Sequence, residues 1–587
     1  PTRALFFMDL IDKANELLRE KKFGELDLVI EELSESDPKV AKELSLQKWA
    51  DLGDQKELEK TFDEYLEEYP DIPTSNRIVA AQLKYDLGKY EEAMKIVNNV
   101  FLDEPNNFSA GEINYACSVN IKQHQQALDI ATNMVSEAIR LEQPEEVIAN
   151  YRRNQLVATT LVGRFEDTLK LWDEIEPLFD RFPNNRDAVT YACLVKSLDC
   201  VGRHAEALEV IKNNGLDSEA YEASTSSELE LIIPQVYLHN DLVDESFERY
   251  RKLITKYPDS AEPKWNCSLA LIATGKLQEG FDLMEIRWDW KDFPSKKRKF
   301  SSQKYEGEDL EGKTILIWGE QGVGDQLLYL TLLPFILKKN PKEVTVEVSH
   351  KLIKLVKEWY PEVKVRGDDV VDTVGQSVYD RLDFQTPAGS LMRLVIKEHG
   401  DLPNDHRFMR IKPEAKSAFL PKHLLNKRVI VGLSWRSSLL TEQRLFNYMS
   451  VDAAAVIVES CPDDVGFIAL QYAMNEEEKE TLRKYPNVLV PDDDFYEDVY
   501  SNGYYTGCCD CVVTAGTVTV QLAGMFNVPC LTWLPRRDWV LFGRDDYPWF
   551  KNTLVVRGEA AWDQDAMLTE LIRKLRIMLR LDEKTLH

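Results

Sequence analysis

The chain has 587 residues, a formal net charge of −28, and 44% hydrophobic and 10% aromatic residues. That length exceeds what one hydrophobic core serves, so two to four domains are expected, and the composition excludes long disorder. The negative charge opposes nucleic acid or an anionic membrane as the main partner, and no uncharged apolar run is long enough to span a bilayer.

At the start of the chain, Leu5–Phe6–Phe7–Met8 is closed by Asp9. The run is too short for a secretory leader, so the chain reads as cytoplasmic. The nine cysteines are scattered, apart from Cys508, Cys509 and Cys511, and no second Cys/His pair stands at zinc-site spacing. Buried thiols in a reducing compartment are expected, with no metal and no cofactor.

Residues 1–284 carry apolar positions at three- and four-residue spacing, broken by regular turn signals. In the clearest unit, Tyr85–Asp86–Leu87–Gly88–Lys89–Tyr90 is followed by Ala93 and then Pro105. Gly88 suits a left-handed turn between antiparallel helices, Ala93 lets them approach, and Pro105 ends the second. The unit resembles a tetratricopeptide repeat. Equivalent turns fall at Gly53, Gly88, Lys122, Gly163, Gly202, Asp241 and Gly275, with gaps of 35, 34, 41, 39, 39 and 34 residues. Such repeats bury their apolar faces only by stacking, which leaves a concave surface for a protein partner or for self-association. His124 and His204 sit at turns and are expected to be exposed or capping.

Residues 285–312 read as a linker. Ile286–Arg287–Trp288–Asp289–Trp290 is aromatic and charged, Pro294 ends helix continuation, and Ser295–Lys296–Lys297–Arg298–Lys299 is basic. Beyond it, strand and helix signals alternate, predicting two Rossmann-like lobes at 313–425 and 426–587, the second closed by a terminal helix. Thr314–Trp318 is a buried-strand run leading into Gly319–Glu320–Gln321–Gly322–Val323–Gly324–Asp325 and a leucine-rich helix. This turn fits neither a dinucleotide fingerprint nor a Walker A loop. Further strands are read at Val344–Val348, near Tyr379–Leu382, and at Arg428–Trp435, Phe467–Gln471, Val488–Val490, Cys511–Val513 and Cys530–Trp533.

The run Trp265–Asn266, Leu271, Gly275, Glu279–Gly280, Arg287–Trp288, Gly312–Lys313–Thr314 and Trp318–Gln326 resembles bacterial tetratricopeptide-repeat proteins with a C-terminal GT-B glycosyltransferase domain. Leu522–Ala523–Gly524 and Asp545–Trp549 also fit. The module is similar to ADP-heptose transferases and, more distantly, O-GlcNAc transferases. The resemblance implies an α region followed by an α/β GT-B fold, and an inverting, metal-independent glycosyltransferase. A nucleotide-sugar would be the donor, and a protein presented by the repeats, such as flagellin or a surface protein, the acceptor.

Such transfer needs a base for the acceptor hydroxyl and positive charge or backbone donors for the leaving diphosphate. The resemblance makes Asp325 the base, with helix capping as its competing role. Gly322, Val323, Gly324 and Gln326 surround it. Ser434, Arg436 and Arg444 are expected at the donor phosphate; Gln471 near the base or ribose; and Gly516, Thr517, Thr519 and Gln521 at a second phosphate-holding turn. Gly516 stands where relatives carry Asp or Asn, and Gln521 where they carry His. Those departures leave open a different donor or a non-catalytic scaffold, and a glycan or lipid-linked acceptor also stays open.

Overall fold

A computed structural model describes residues 2–69, 71–218, 227–368, 382–403, 406–438, 448–535, 537–557 and 564–581. The chain divides into two compact units, Pro1–Leu194 and Val195–His587.

In the first unit, helices come in pairs: Thr2–Arg19 with Phe23–Ser36, Pro38–Leu52 with Gln55–Glu68, Thr74–Asp86 with Tyr90–Asp103, Phe108–Asn120 with His124–Arg140, and Glu145–Val162 with Phe165–Arg181. Ala93 is fully buried beside Ala81, Val97 and Cys117, so its small side chain sets the helix spacing. The same hairpin recurs at the start of the second unit, ending with Ala261–Ala273 and Leu277–Met284. All seven turn positions adopt positive φ, from 60° at Lys122 and Asp241 to 89° at Gly163. Lys122 and Asp241 hold this left-handed geometry with a side chain present, against the usual preference for glycine.

Residues 285–312, expected as a linker, pack into the lobe that follows. Tyr305 and Leu310 are fully buried, and β1 (Gln303–Lys304) joins the first sheet. The Trp288 and Trp318 rings lie 4.9 Å apart, and Arg298 of the basic run reaches Glu347 at 2.5 Å.

The first sheet also holds β2 (Thr314–Trp318), β3 (Glu343–Val348), β4 (Lys364–Gly367) and β5 (Phe384–Pro387), in the order β1-β5-β2-β3-β4. The second holds β6 (Val429–Ser434), β7 (Val465–Ala469), β8 (Val488–Leu489), β9 (Cys511–Ala515), β10 (Cys530–Trp533) and β11 (Thr553–Val556), in the order β11-β10-β9-β6-β7-β8. Every pairing between the described strands is parallel, and the central strands are buried on both faces, as crossover helices require. The apparent alternation in β3 marks no exposed face: Glu347 is wholly buried because Arg298 and Arg366 neutralise it. The strand signal read at 379–382 lies outside the described residues except for Leu382. The helix Gln564–Met578 closes the second lobe by burying Met567, Leu571 and Leu575. The architecture is therefore tetratricopeptide-like helical hairpins followed by two Rossmann-like lobes of GT-B type.

Within the second unit, the last hairpin braces the second lobe. Phe281 packs edge-on against Phe542 at 5.6 Å. A Cβ on Gly543 would stand 2.8 Å from the backbone of Thr274 and Gly275, so backbone meets backbone there. Arg537 also reaches the turn residue Asp241 at 2.6 Å.

Candidate functional site

Strand order decides where the site lies. Read from its other edge, the second sheet runs β8-β7-β6-β9-β10-β11, the doubly wound 3-2-1-4-5-6 order, with its direction of winding switching between β6 and β9. In the first sheet the switch lies between β2 and β5. Loops leaving the carboxyl ends of strands at such a switch part to opposite faces and open a crevice. The loop after β2 enters the helix Val323–Leu330, and the loop after β9 enters the helix Val518–Met525.

Both helix N-termini line one cleft of about 510 Å³. A Cβ on Gly324 would stand 3.5 Å from Cα of Val518, so the first turns of the two helices are in contact distance of each other. First-turn amides have no intrahelical acceptor, and the helix dipole adds positive potential. Two such ends on one cavity create a place for an anion.

Of the residues predicted from sequence, the cleft gathers Gly322, Val323, Gly324, Asp325, Gly516, Thr517 and Gln521. Asp325 is the third residue of its helix and accepts the Gly322 N–H at 3.1 Å, so one carboxylate oxygen caps the helix. Thr517 takes the cap position on the facing helix in extended backbone, and its buried hydroxyl has no hydrogen-bond partner among the described residues. A Cβ on Gly516 would stand 2.2 Å from Cδ2 of the buried Leu534, so glycine fits there by sterics. The Gln521 amide, in the orientation that satisfies both its ends, donates to the carbonyls of Thr517 at 2.7 Å and Val518 at 3.3 Å.

The remaining predicted residues sit elsewhere. Gln326 is buried under its own loop and accepts the Ser349 N–H at 2.8 Å. Ser434 is buried at the end of β6. Gln471 is a backbone clasp: its oxygen accepts from the amides of Trp435 and Arg436, and its nitrogen donates to the carbonyls of Arg436 and Tyr472. Arg436, expected at a phosphate, is instead committed to Glu478 through two guanidinium bonds and to the carbonyls of Ser437 and Ala473. Burial would raise the Glu478 carboxyl, but Arg436, the Asn475 amide and Trp435 Nε1 hold it below the usual carboxylate range. Thr519 is buried off the cleft wall, and Arg444 lies outside the described residues.

The cleft wall also contains Lys351, Tyr448, Tyr472, Tyr496 and Asp538, which gave no motif signal, and Tyr547 of the Asp545–Trp549 run. Lys351 is the one lysine or arginine among the described lining residues. It donates to the Tyr496 carbonyl and to Glu497, both at 2.9 Å. Asp538 accepts the Val540 N–H at 3.1 Å, and burial raises its carboxyl above the ordinary range.

No protein-family model matches the chain. Protein FlbA of Caulobacter vibrioides is 24% identical over 297 residues, which is 48% of this chain and 49% of that protein. The chain thus spans about half the length of the curated relative it matches. Among solved structures, Escherichia coli ADP-heptose LPS heptosyltransferase II aligns over 46% of this chain and 99% of its own, at 15% identity and a TM-score of 0.35. A glycosyl transferase family 9 protein from Veillonella parvula aligns over 46% and 90%, at 11% identity and 0.33. A tetratricopeptide repeat protein from Parabacteroides merdae aligns over 48% and 98%, at 12% identity and 0.29.

The scaffolding behind the first loop is an ionic knot. Arg287 is fully buried and forks onto Glu320, Nε to Oε2 at 2.8 Å and Nη2 to Oε1 at 2.9 Å. It also donates to Ser390 and Glu285, each at 3.0 Å. Glu320 accepts the Gly389 amide at 2.8 Å. Because Glu320 lies two residues before Gly322, the knot holds the loop that presents Asp325.

Proposed function

We propose that this chain transfers a sugar from a nucleotide-sugar to an acceptor hydroxyl in the cleft between its two lobes. The observation that supports this best is one cavity shared by Asp325, Gly322–Gly324 and the Thr517 helix terminus. In this reading the amides at Val518 and the unpartnered Thr517 hydroxyl receive the diphosphate and stabilise its charge as the glycosidic bond to it breaks. Asp325 takes the acceptor proton as the hydroxyl attacks from the face opposite the leaving group, inverting the anomeric centre. The acceptor is a protein held by the repeats, and the chemistry runs without a metal.

A second reading has specific support: a module that binds a nucleotide or a partner without turnover. Arg436 is consumed by Glu478, Lys351 by Glu497, and Gln521 offers no charge or proton shuttle.

One experiment separates them. The full chain is incubated with UDP-, GDP-, ADP- and CMP-sugars, and released nucleotide is measured alongside direct binding. Transfer predicts that one donor binds and is consumed, and that Asp325→Asn lowers turnover by about 10²–10⁴-fold while leaving donor affinity within a few-fold. Donor binding with no turnover in the native chain supports the second reading, and failure of every donor to bind refutes both transfer and nucleotide binding in the cleft.

A further inference from the structure

Away from the cleft, the hairpins that open the second unit bring three ligand-bearing side chains together. Asp199 lies near the end of the helix Ala188–Cys200, His204 starts His204–Asn213, and His239 ends Ser227–His239. Nδ1 of His204 and Nδ1 of His239 each stand 2.8 Å from the same oxygen, Oδ1 of Asp199. The two rings are 4.6 Å apart, and all three ligand atoms fall within 4.8 Å of one another. The carboxylate is buried at 4% side-chain exposure, whereas the imidazoles are 23% and 25% exposed. The carboxylate is therefore enclosed, while each imidazole keeps part of its ring accessible. Asn240 donates to the His204 carbonyl at 2.9 Å and to Val236 at 2.8 Å, which ties the two histidine-bearing turns together.

We propose that Asp199, His204 and His239 bind a divalent transition-metal ion of the zinc class, leaving one or more coordination positions open to water. The donor set argues for that class. Imidazole nitrogen favours zinc, copper, nickel and iron, whereas calcium and magnesium prefer oxygen donors throughout. Geometry agrees. Metal–ligand bonds of about 2.1 Å put neighbouring ligand atoms about 3.0 Å apart at right angles and about 3.4 Å apart in a tetrahedron. The two 2.8 Å separations fall about 0.2 Å short of the first value and about 0.6 Å short of the second, and the two imidazole ligand atoms lie within 4.8 Å of each other, so seating an ion draws the rings around it.

Without an ion, one carboxylate oxygen must accept an Nδ1–H from both rings. With one, both rings take the Nε2–H tautomer, and Nδ1 of each is a ligand. An ion held there cross-links three helix ends from consecutive hairpins. It also fixes the turn two residues before Asp241, whose carboxylate grips Arg537 of the second lobe.

The test uses the full chain stripped with chelator and titrated with Zn(II) by calorimetry and with Co(II) by absorption. The expected result is one equivalent bound by imidazole and carboxylate, with a rise in melting temperature. His204→Gln with His239→Gln should weaken that equivalent at least about 100-fold and abolish the metal-dependent rise in melting temperature, each measured against the same variant without metal. Asp199→Asn provides a third arm, and because its side chain is buried, His204→Gln alone serves as the control should that variant not fold. No stoichiometric binding, equal binding by native chain and double variant, or a cobalt–thiolate charge-transfer band placing the ion on cysteine would each overturn the assignment.

Discussion

Replacing Arg287 by Met tests whether the ionic knot holds the loop that presents Asp325. Two charge-assisted bonds to Glu320 are lost, each contributing about 1.5–3 kcal/mol. Glu285 keeps Lys304 and Ser390, at 2.5 and 2.6 Å, so its charge stays partnered. Glu320 keeps the Gly389 amide but loses its counter-ion while fully buried. Stranding one member of a buried pair costs about 3–5 kcal/mol, and that is the expected loss. With an m-value of about 3 kcal/mol/M, the urea midpoint falls by about 1 M or more. Tryptophan fluorescence is the reporter, since Trp288, 4.8 Å from the Arg287 guanidinium, packs at a tilt against Trp318. The full chain has several cores, so the transition reporting this cluster is compared between variants, not a global stability. Adding Glu320→Gln removes the stranded charge while keeping an acceptor for Gly389, and should recover about 2 kcal/mol as coupling energy. A loss below about 1 kcal/mol for Arg287→Met, or a double variant less stable than that single one, would refute the reasoning.

Three further outcomes follow from the same coordinates. Gly524→Ala places a Cβ 2.3–2.4 Å from three ring atoms of the buried Phe550; it should cost about 1–3 kcal/mol by thermal melting, although alanine is the better helix former. Gly88→Ala meets no atom within 4 Å but must hold φ 73°, so it should cost only about 1 kcal/mol, with unchanged helicity by circular dichroism. Burial would raise the Glu285 carboxyl, but Arg287, Lys304 and Ser390 overcome that and hold it at about 2, against an ordinary 4.5. A depressed acid stabilises the fold above its unfolded value and loses that contribution as pH falls. About 3 kcal/mol should therefore drain away between pH 4.5 and 2, and Glu285→Gln should flatten the midpoint-versus-pH curve in that window.

Local chemistry was readable without coordinates. Glycine or a polar residue after each apolar helix run marked the seven left-handed turns, because backbone φ is a property of a few neighbouring residues. Apolar runs marked β2, β6 and β9, because strands buried on both faces leave no polar alternation to misread. β1, β4, β5 and β11 escaped notice: each has two to four residues, β1, β4 and β11 lie at a sheet edge where burial imposes little pattern, and β5 is buried throughout yet carries Gln385, Thr386 and Pro387. Thr517 was legible from its place between a glycine turn and a helix, whereas Asp325 was singled out by the family resemblance of its loop.

Tertiary structure alone decided which polar groups face the cleft. Arg436, Gln471 and Ser434 follow a strand end much as Thr517 does, yet Glu478 and the surrounding backbone absorb them. No local pattern announces a partner 42 residues away. Asp199 and His239 are 40 residues apart and meet only because stacked hairpins bring successive turns side by side. Sequence thus determined where the backbone turns and which faces are apolar, both short-range consequences of sterics and hydrophobicity. The pairing of charges and ligands across the fold depended on packing geometry, because a buried polar group is satisfied by whatever neighbour the chain returns to it.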